Sequence, residues 1–427
     1  MIKHKKILGC ILLGMLSLFG WVKYQQSKIL VIGTYSTSSW DVPSNAETKV
    51  IDDVIKRFEK EYGVKVIYES GITKKDYGKW LTNKIVAGKT PDVFAVPPEN
   101  FNLLASTGAL KKLDQLLKTE KIATTDFYQG ALAAGNINGH QYALPYESNP
   151  TMMCLNKDLL RKERLAIPQA NWTTTDFLKL CQQVTKDTDQ NGTLDQFGCV
   201  NYTWQQASAA ENVQLFNENG TKANFNTSQV AQAIKLVEQL EQLNGNQKVT
   251  TDDFDKGNVA FVPMTLAQYR TYKAYPYHIA RYSTFSWTCV PMPQSAPELK
   301  STPAETAMYG ISAKTKQTKL AVKFLKLLCA DKKTQTEVFE KSQGAPVLKS
   351  VVKQADSKKV LEKNNFGKNA LTPQVMDSML QNISATPKFK KYDEAMQQAD
   401  ILIQQGLVKQ DVNLNEIQLQ LDELLNK

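Results

Sequence analysis

Histidine is nearly missing from this chain, with only His4, His140 and His278 among 427 residues. None stands in an H-E-x-x-H or comparable spacing, which excludes a helix-borne zinc hydrolase centre. No G-x-S-x-G elbow and no G-x-x-x-x-G-K-[ST] loop occurs. Their absence removes the serine hydrolases built on a nucleophile elbow and the P-loop nucleotidases. Carboxylates are plentiful, yet nothing in their spacing points to a pair set for glycoside hydrolysis. The expectation is a protein that is not an enzyme, with no catalytic residue or catalytic cofactor.

Cysteine is scarce and forms no C-x-x-C: the six are Cys10, Cys154, Cys181, Cys199, Cys289 and Cys329. A thioredoxin-like or zinc-ribbon site is therefore not indicated. Cys10 lies in an apolar run, which leaves five, an odd number for a disulfide framework. Apolar neighbours, as in Met152-Met153-Cys154-Leu155, favour buried free thiols. Cys181 with Cys199 is the one pair whose short separation keeps a bridge open.

Arg-rich runs and basic-aromatic motifs are also lacking, although the formal net charge is +10. The first 27 residues hold four Lys and no acid, so the body carries 52 − 4 = 48 basic against 42 acidic residues. The remaining charges are scattered, as in a solvated Lys-rich surface, and no nucleic-acid partner is expected.

The N-terminus, residues 1–27, joins Lys3, Lys5 and Lys6 to an apolar run from Ile7 to Val22, a charged region followed by a hydrophobic one. Trp21 and Tyr24 suit an interfacial position. A retained membrane anchor, a cleaved leader and lipidation at Cys10 are three readings of this segment, the first preferred. All three put the body outside the cytoplasm, on the outer face of the membrane or secreted.

Along the body, Ile29 to Thr34 reads as a buried strand. A helix with Ile51, Val54, Ile55, Phe58 and Tyr62 at helical spacing follows. Val64 to Tyr68 makes a second strand, and a helix carrying Tyr77, Leu81 and Ile85 leads to a third, Asp92 to Val96. Strand–helix alternation of this kind argues for an α/β lobe with a largely parallel sheet. The stretch to about Asp253 is mostly helical, and strand character returns near Trp287 to Pro293. The tail helix carries Leu414, Ile417, Leu421 and Leu424.

Ligands of α/β sheets sit just past the carboxyl ends of strands, where Glu99 and Asn100 stand after Pro97-Pro98. Trp40, Tyr146, Trp204, Tyr269, Trp287 and Tyr309 fall near strand ends or turns rather than within long apolar faces. Several have polar neighbours: Asp41 beside Trp40, Glu147 beside Tyr146, Gln205 and Gln206 beside Trp204. Rings for the C–H faces of a sugar, with acids and amides for its hydroxyls, would make a carbohydrate cleft. The competing reading is that each ring simply packs a lobe interior.

Asp187-Thr188-Asp189-Gln190-Asn191-Gly192-Thr193-Leu194-Asp195 follows the opening of an EF-hand-type loop. Oxygens of Asp187, Asp189 and Asn191 alternate, Gly192 permits the turn, and the Thr193 carbonyl and Asp195 would complete a ring around Ca²⁺. Gly198 stands where the final bidentate Glu belongs. Structural Ca²⁺ and a loop that only keeps the turn are both open.

Six segments together carry a family resemblance. They are Thr90 to Asp114, Ile137 to Tyr146 with its Leu144-Pro145-Tyr146, and Asn156-Lys157-Asp158-Leu159-Leu160. Asn171 to Phe177, Phe254 to Phe261 and Tyr309-Gly310-Ile311-Ser312 complete the set. In this order they resemble the extracellular solute-binding proteins of sugar-importing ABC transporters, the maltose-binding-like family 1. The resemblance implies an α/β, two-lobe, periplasmic-binding-protein-like fold of type II with the ligand cleft between lobes. It also implies ligand contacts by Glu99, Asn100, Tyr146, Glu147 and Trp204, and more loosely by Tyr269 and Tyr309.

The expected division is lobe 1 at 28–145 and 290–329, and lobe 2 at 146–289 and 330–427, with a crossover at Pro145 to Asn149. The expected function is capture of a carbohydrate, an oligosaccharide, by a monomer that delivers it to membrane permease subunits. A same-fold receptor for a non-sugar solute, richer in cleft Arg or Lys, is one alternative. A membrane-anchored sensor or scaffold domain is the other.

Overall fold

The computed structural model describes residues 29–427 apart from 36–37, 41, 43–45, 70–71, 246, 273–284, 355, 364–370 and 385–388. The expected N-terminal segment 1–27 and the candidate Asp41 lie outside the described residues. Strand β1 (Ile29–Gly33) pairs in parallel with β2 (Lys65–Glu69) and β3 (Val93–Val96). Helices Ala46–Tyr62 and Lys74–Val86 make the two crossovers. The first buries Val50, Val54 and Phe58, spaced four residues apart, against the sheet. All four residues of β3 are buried, as a strand covered on both faces requires.

After a small hairpin, β4 (Asn136–Ile137) and β5 (His140–Gln141), comes the long strand β6 (Ala143–Asn156). Beyond it lie β7 (Phe197–Cys199), β8 (Val259–Thr265), β9 (Trp287–Val290), β10 (Ala304–Ile311) and β11 (Ala345–Pro346). Residues Ala143 to Pro150 of β6 pair antiparallel with β10, which also borders β3. Thr151 to Leu155 pair with β8, and Met153 to Asn156 with β9. The chain therefore passes the expected crossover at Pro145 to Asn149 as unbroken strand. The sheet is parallel in its first three strands and mixed beyond them.

Two large apolar clusters flank this strand. One holds Leu30, Val54, Phe58, Phe94, Phe101 and Leu144; the other holds Leu155, Trp172, Phe177, Val230, Val237 and Phe261. Burying each such side chain contributes roughly 1.5–3 kcal/mol. The described residues between 330 and 383, expected with the second lobe, pack in the first cluster, through Val338, Phe339, Val351 and Leu380. Polar ties fix them there: Arg57 to Asp331 at 3.0 Å, Tyr128 to Asp377 at 2.7 Å and the Gln335 amide to the Tyr146 carbonyl at 2.8 Å. Only from Phe389 onward does the tail join the second cluster, through Ala395, Ala399, Ile403, Ile417 and Leu421. A helical tail pattern alone says nothing about which core it covers, because helical spacing reports one buried face and not its partner.

Candidate functional site

Past the carboxyl end of β1, the chain turns tightly. The Ser38 hydroxyl accepts from the Trp40 N–H at 3.1 Å, and the Trp40 carbonyl accepts from the Val42 N–H at 2.8 Å. Past the carboxyl end of β3, Pro97 leads into a short 3₁₀ turn, Pro98–Asn100, and then the helix Phe101–Ser106. These two ends, the start of β10 and the beginning of the helix Tyr392–Lys409 enclose a cavity of about 390 Å³. Glu99 and Asn102, flanking the first-core residue Phe101, line it with Trp40, which packs in a small third cluster with Ala267 and Ala307; Tyr392, packed against the second core, and Asp393 complete it.

The cavity has aromatic walls and acidic edges. Trp40 and Tyr35 are buried, while Glu99, Glu305 and Asp393 are exposed along it beside Lys74, the one cation among the described lining residues. Burial, aided by Asp393, pushes the Tyr392 phenol up to about 12, so at neutral pH it is an uncharged donor and acceptor. Two buried polar atoms have no partner among the described residues, the indole Nε1 of Trp40 and the amide Oδ1 of Asn102. Such atoms carry a desolvation penalty that a ligand hydrogen bond relieves. Ile383, Ser384 and Tyr392 also border a second cavity of about 620 Å³, to which Gln205, Asn212 and Gln214 contribute amides.

Of the expected site residues, Trp40 and Glu99 meet in the first cavity. Asn100 stands at the end of the 3₁₀ turn, half-buried, and does not line it. Tyr146, Glu147, Trp204, Tyr269, Trp287 and Tyr309 pack the interior instead. Trp204 opens the helix Trp204–Ala210 with its ring fully buried, and its Nε1 donates to Asp400 at 2.8 Å. The same Asp400 oxygen accepts from Gln205 at 2.7 Å. The structure thus does not bring Trp204 to Trp40.

Tyr146 and Tyr309 stack edge-to-face at 5.5 Å inside the first core, and the Tyr309 hydroxyl shares a 2.5 Å hydrogen bond with Thr34. Tyr269 and Trp287 do the same at 5.4 Å, both buried, and burial pushes the Tyr269 phenol far above its usual range. Period-two alternation fails as a guide here because β6 and β10 are buried on both faces.

Glu147, also expected at the ligand, is fully buried and holds the backbone. Its Oε2 accepts from the Ser342 hydroxyl at 2.6 Å and the Gly344 N–H at 3.2 Å. From the other side Arg270 Nη1 donates to the carbonyls of Ser342 and Gly344 at 2.8 and 2.9 Å. Burial pulls Arg270 down to about 10, with the Glu147 charge opposing that shift. A Cβ on Gly344 would lie 2.6 Å from Glu147 Oε2 and 3.0 Å from Trp40 Nε1, so only glycine fits this clamp.

Asn102, Tyr392 and Asp393 were not legible beforehand. Asn102 had one signal, a polar residue within an apolar helix face that includes Phe101 and Ala105. In the Asp187–Asp195 loop, carboxylate oxygens of Asp187, Asp189 and Asp195 converge within 4.8 Å, a set that suits a hard divalent cation. Gly192 takes a φ of 92° and its N–H donates to Asp187 at 2.6 Å. Asn191 Oδ1 accepts from the Thr193 N–H at 2.8 Å. The hydroxyl and N–H of Thr188 hold Asp195 below the usual carboxylate range.

Comparison with known proteins matches residues 53–365 to the family model described as bacterial extracellular solute-binding protein, a family of binding proteins rather than enzymes. Solved structures cover most of the chain at low identity. The sugar-binding protein MalE of Xanthomonas citri superposes with a TM-score of 0.75 at 16% identity, covering 93% of this chain and 97% of its own. The substrate-binding protein Lmo0181 of Listeria monocytogenes, in complex with cycloalternan, gives 0.66 at 18% identity over 93% and 98%. UgpB of Mycobacterium tuberculosis, in complex with glycerophosphocholine, gives 0.69 at 16% identity over 92% and 97%. The fold is the two-lobed α/β architecture of these structures.

Proposed function

Because the chain belongs to the bacterial extracellular solute-binding protein family of ABC transport systems, we propose that it captures a carbohydrate and hands it to a membrane permease. The observation that carries this reading is the cavity itself, with Trp40 and Tyr35 as its ring wall, the amide residue Asn102 in its lining, and Glu99, Glu305 and Asp393 along its edge. Sugars offer both a C–H face and hydroxyls, which suits such a lining. The adjoining second cavity, sharing Tyr392, gives length for an oligosaccharide.

Residues of both cores border the cleft, so a ligand touching Trp40 and Tyr392 together binds the closed arrangement better than the open one. That difference in affinity is what shifts the population toward closure. A permease reads the closed form. The N-terminal segment tethers the body to the outer face of the membrane, and Ca²⁺ in the Asp187–Asp195 loop plays a structural part.

An anionic phosphodiester is the less suited ligand, since among the described residues lining the cavity Glu99, Glu305 and Asp393 stand against one cation, Lys74. The discriminating experiment is thermal-shift screening against a glycan panel beside glycerol phosphodiesters. Stabilisation by an oligosaccharide supports the proposal. Stabilisation by phosphodiesters alone refutes it.

A further inference from the structure

Cys154 and Cys289 stand directly opposite each other in the antiparallel register of β6 and β9, both buried. Their Sγ atoms are 3.2 Å apart. That is nearer than the roughly 3.5–4.0 Å at which unbonded carbon atoms, smaller than sulfur, come to rest. Directly opposed residues of an antiparallel pair have Cα atoms about 4.5 or 5.5 Å apart. Both values fall within the span a disulfide bridges, roughly 4.4–6.8 Å. Closing the sulfurs from 3.2 Å to a bond of about 2.0 Å therefore asks only for small side-chain rotations.

The other described cysteines sort themselves around this pair. Cys181 faces Cys199, and the single Cys329 points its thiol at the Leu144 carbonyl, 3.8 Å away. The odd count that argued against a disulfide framework is thus explained by one solitary residue.

We propose that Cys154 and Cys289 are joined by a disulfide in the exported protein, a claim that rests on its lying outside the cytoplasm. Both thiols are oxidised: two S–H bonds break and one S–S bond forms. The two electrons and two protons pass to a disulfide-bearing oxidant, a thiol–disulfide oxidoreductase of the export compartment, which leaves as its dithiol. Burial pushes the Cys154 thiol well up, so the folded pair is a poor source of the attacking thiolate. The bond consequently forms before β6 and β9 close, and burial then protects it from reductants. It ties β9 to β6 across 135 residues of chain.

The test is disulfide mapping of the protein purified from an oxidising export compartment. The sample is alkylated in denaturant without reductant, digested and weighed. The expected result is a peptide with Cys154 covalently joined to one with Cys289 and released on reduction, while Cys329 carries the alkyl group. In Cys289→Ala, Cys154 should become alkylated. Full alkylation of Cys154 and Cys289 in the wild type, or Cys154 joined to a different cysteine, overturns the proposal. The readout involves no ligand, so its failure would leave the carbohydrate reading untouched, and the reverse holds too.

Discussion

Trp40 and Asn102 border one cavity, and each holds a buried polar atom without a partner among the described residues, an indole donor and an amide acceptor. In Asn102→Ala the acceptor is gone. A hydrogen bond of this kind contributes about 1 kcal/mol, roughly fivefold in Kd. The unliganded melting temperature should hold, because Oδ1 has no intramolecular bond to lose. Calorimetric titration beside a melting curve reads both quantities. A lower melting temperature at unchanged affinity would assign Asn102 to packing.

Trp204→Phe tests the assignment of that ring to the interior. The variant keeps an aromatic ring but deletes the N–H that Asp400 accepts. Losing one partner of a buried hydrogen bond to a charged group costs about 1.5–3 kcal/mol, so the melting temperature should fall. Sugar affinity should stay within about twofold, well under the 1.4 kcal/mol of a tenfold change. A large loss of affinity with unaltered stability would return Trp204 to the cleft.

The clamp of Glu147 and Arg270 on Ser342 to Gly344 makes a stability prediction. Glu147→Ala strands a buried guanidinium, a change worth about 3–5 kcal/mol. Gly344→Ala sets a methyl group 2.6 Å from Glu147 Oε2 and should destabilise in the same direction. Chemical denaturation of the two variants checks both. If either unfolds at the wild-type midpoint, the clamp is not a structural element.

Ca²⁺ bound among Asp187, Asp189 and Asp195 would stabilise the folded state by mass action. EDTA should then lower the melting temperature, and Asp189→Ala should remove that sensitivity. The pH dependence has a definite sign. Asp195 is held below its ordinary value, so its charged form persists down to at least about pH 3.9 and is lost only as pH falls further. Stabilisation by Ca²⁺ added to the metal-free protein should therefore survive mild acid. A melting curve indifferent to EDTA at neutral pH would leave the loop a turn.

Local patterns carried much of this account. Helical spacing from Ile51 to Phe58 and the strand before Pro97-Pro98 were legible because short-range periodicity reports burial of a single face. Trp40 and Glu99 were singled out by their places near strand ends, where ligands of α/β sheets bind, and both line the first cavity. Tyr146, Glu147 and Tyr309 misled because their strands are covered on both faces, and polar or aromatic residues at a strand end look alike whether they face a cleft or a core. Tyr392 and Asp393 reach the cavity only through tertiary packing of the tail, for which spacing in sequence holds no signal. The same holds for the described residues between 330 and 383, whose place in the first core depends on partners as distant as Arg57 and Tyr128.

Titration calorimetry of wild type and Trp40→Ala with the best oligosaccharide from a glycan screen tests the central claim most directly. A stacked ring contributes on the order of 1 kcal/mol beyond its area burial, and the apolar area it covers on the ligand adds to that. The wild type should bind saturably, and the variant should show an at least tenfold weaker Kd. Equal affinity in the two proteins, or no glycan binding by a folded wild type that binds a phosphodiester instead, would contradict it.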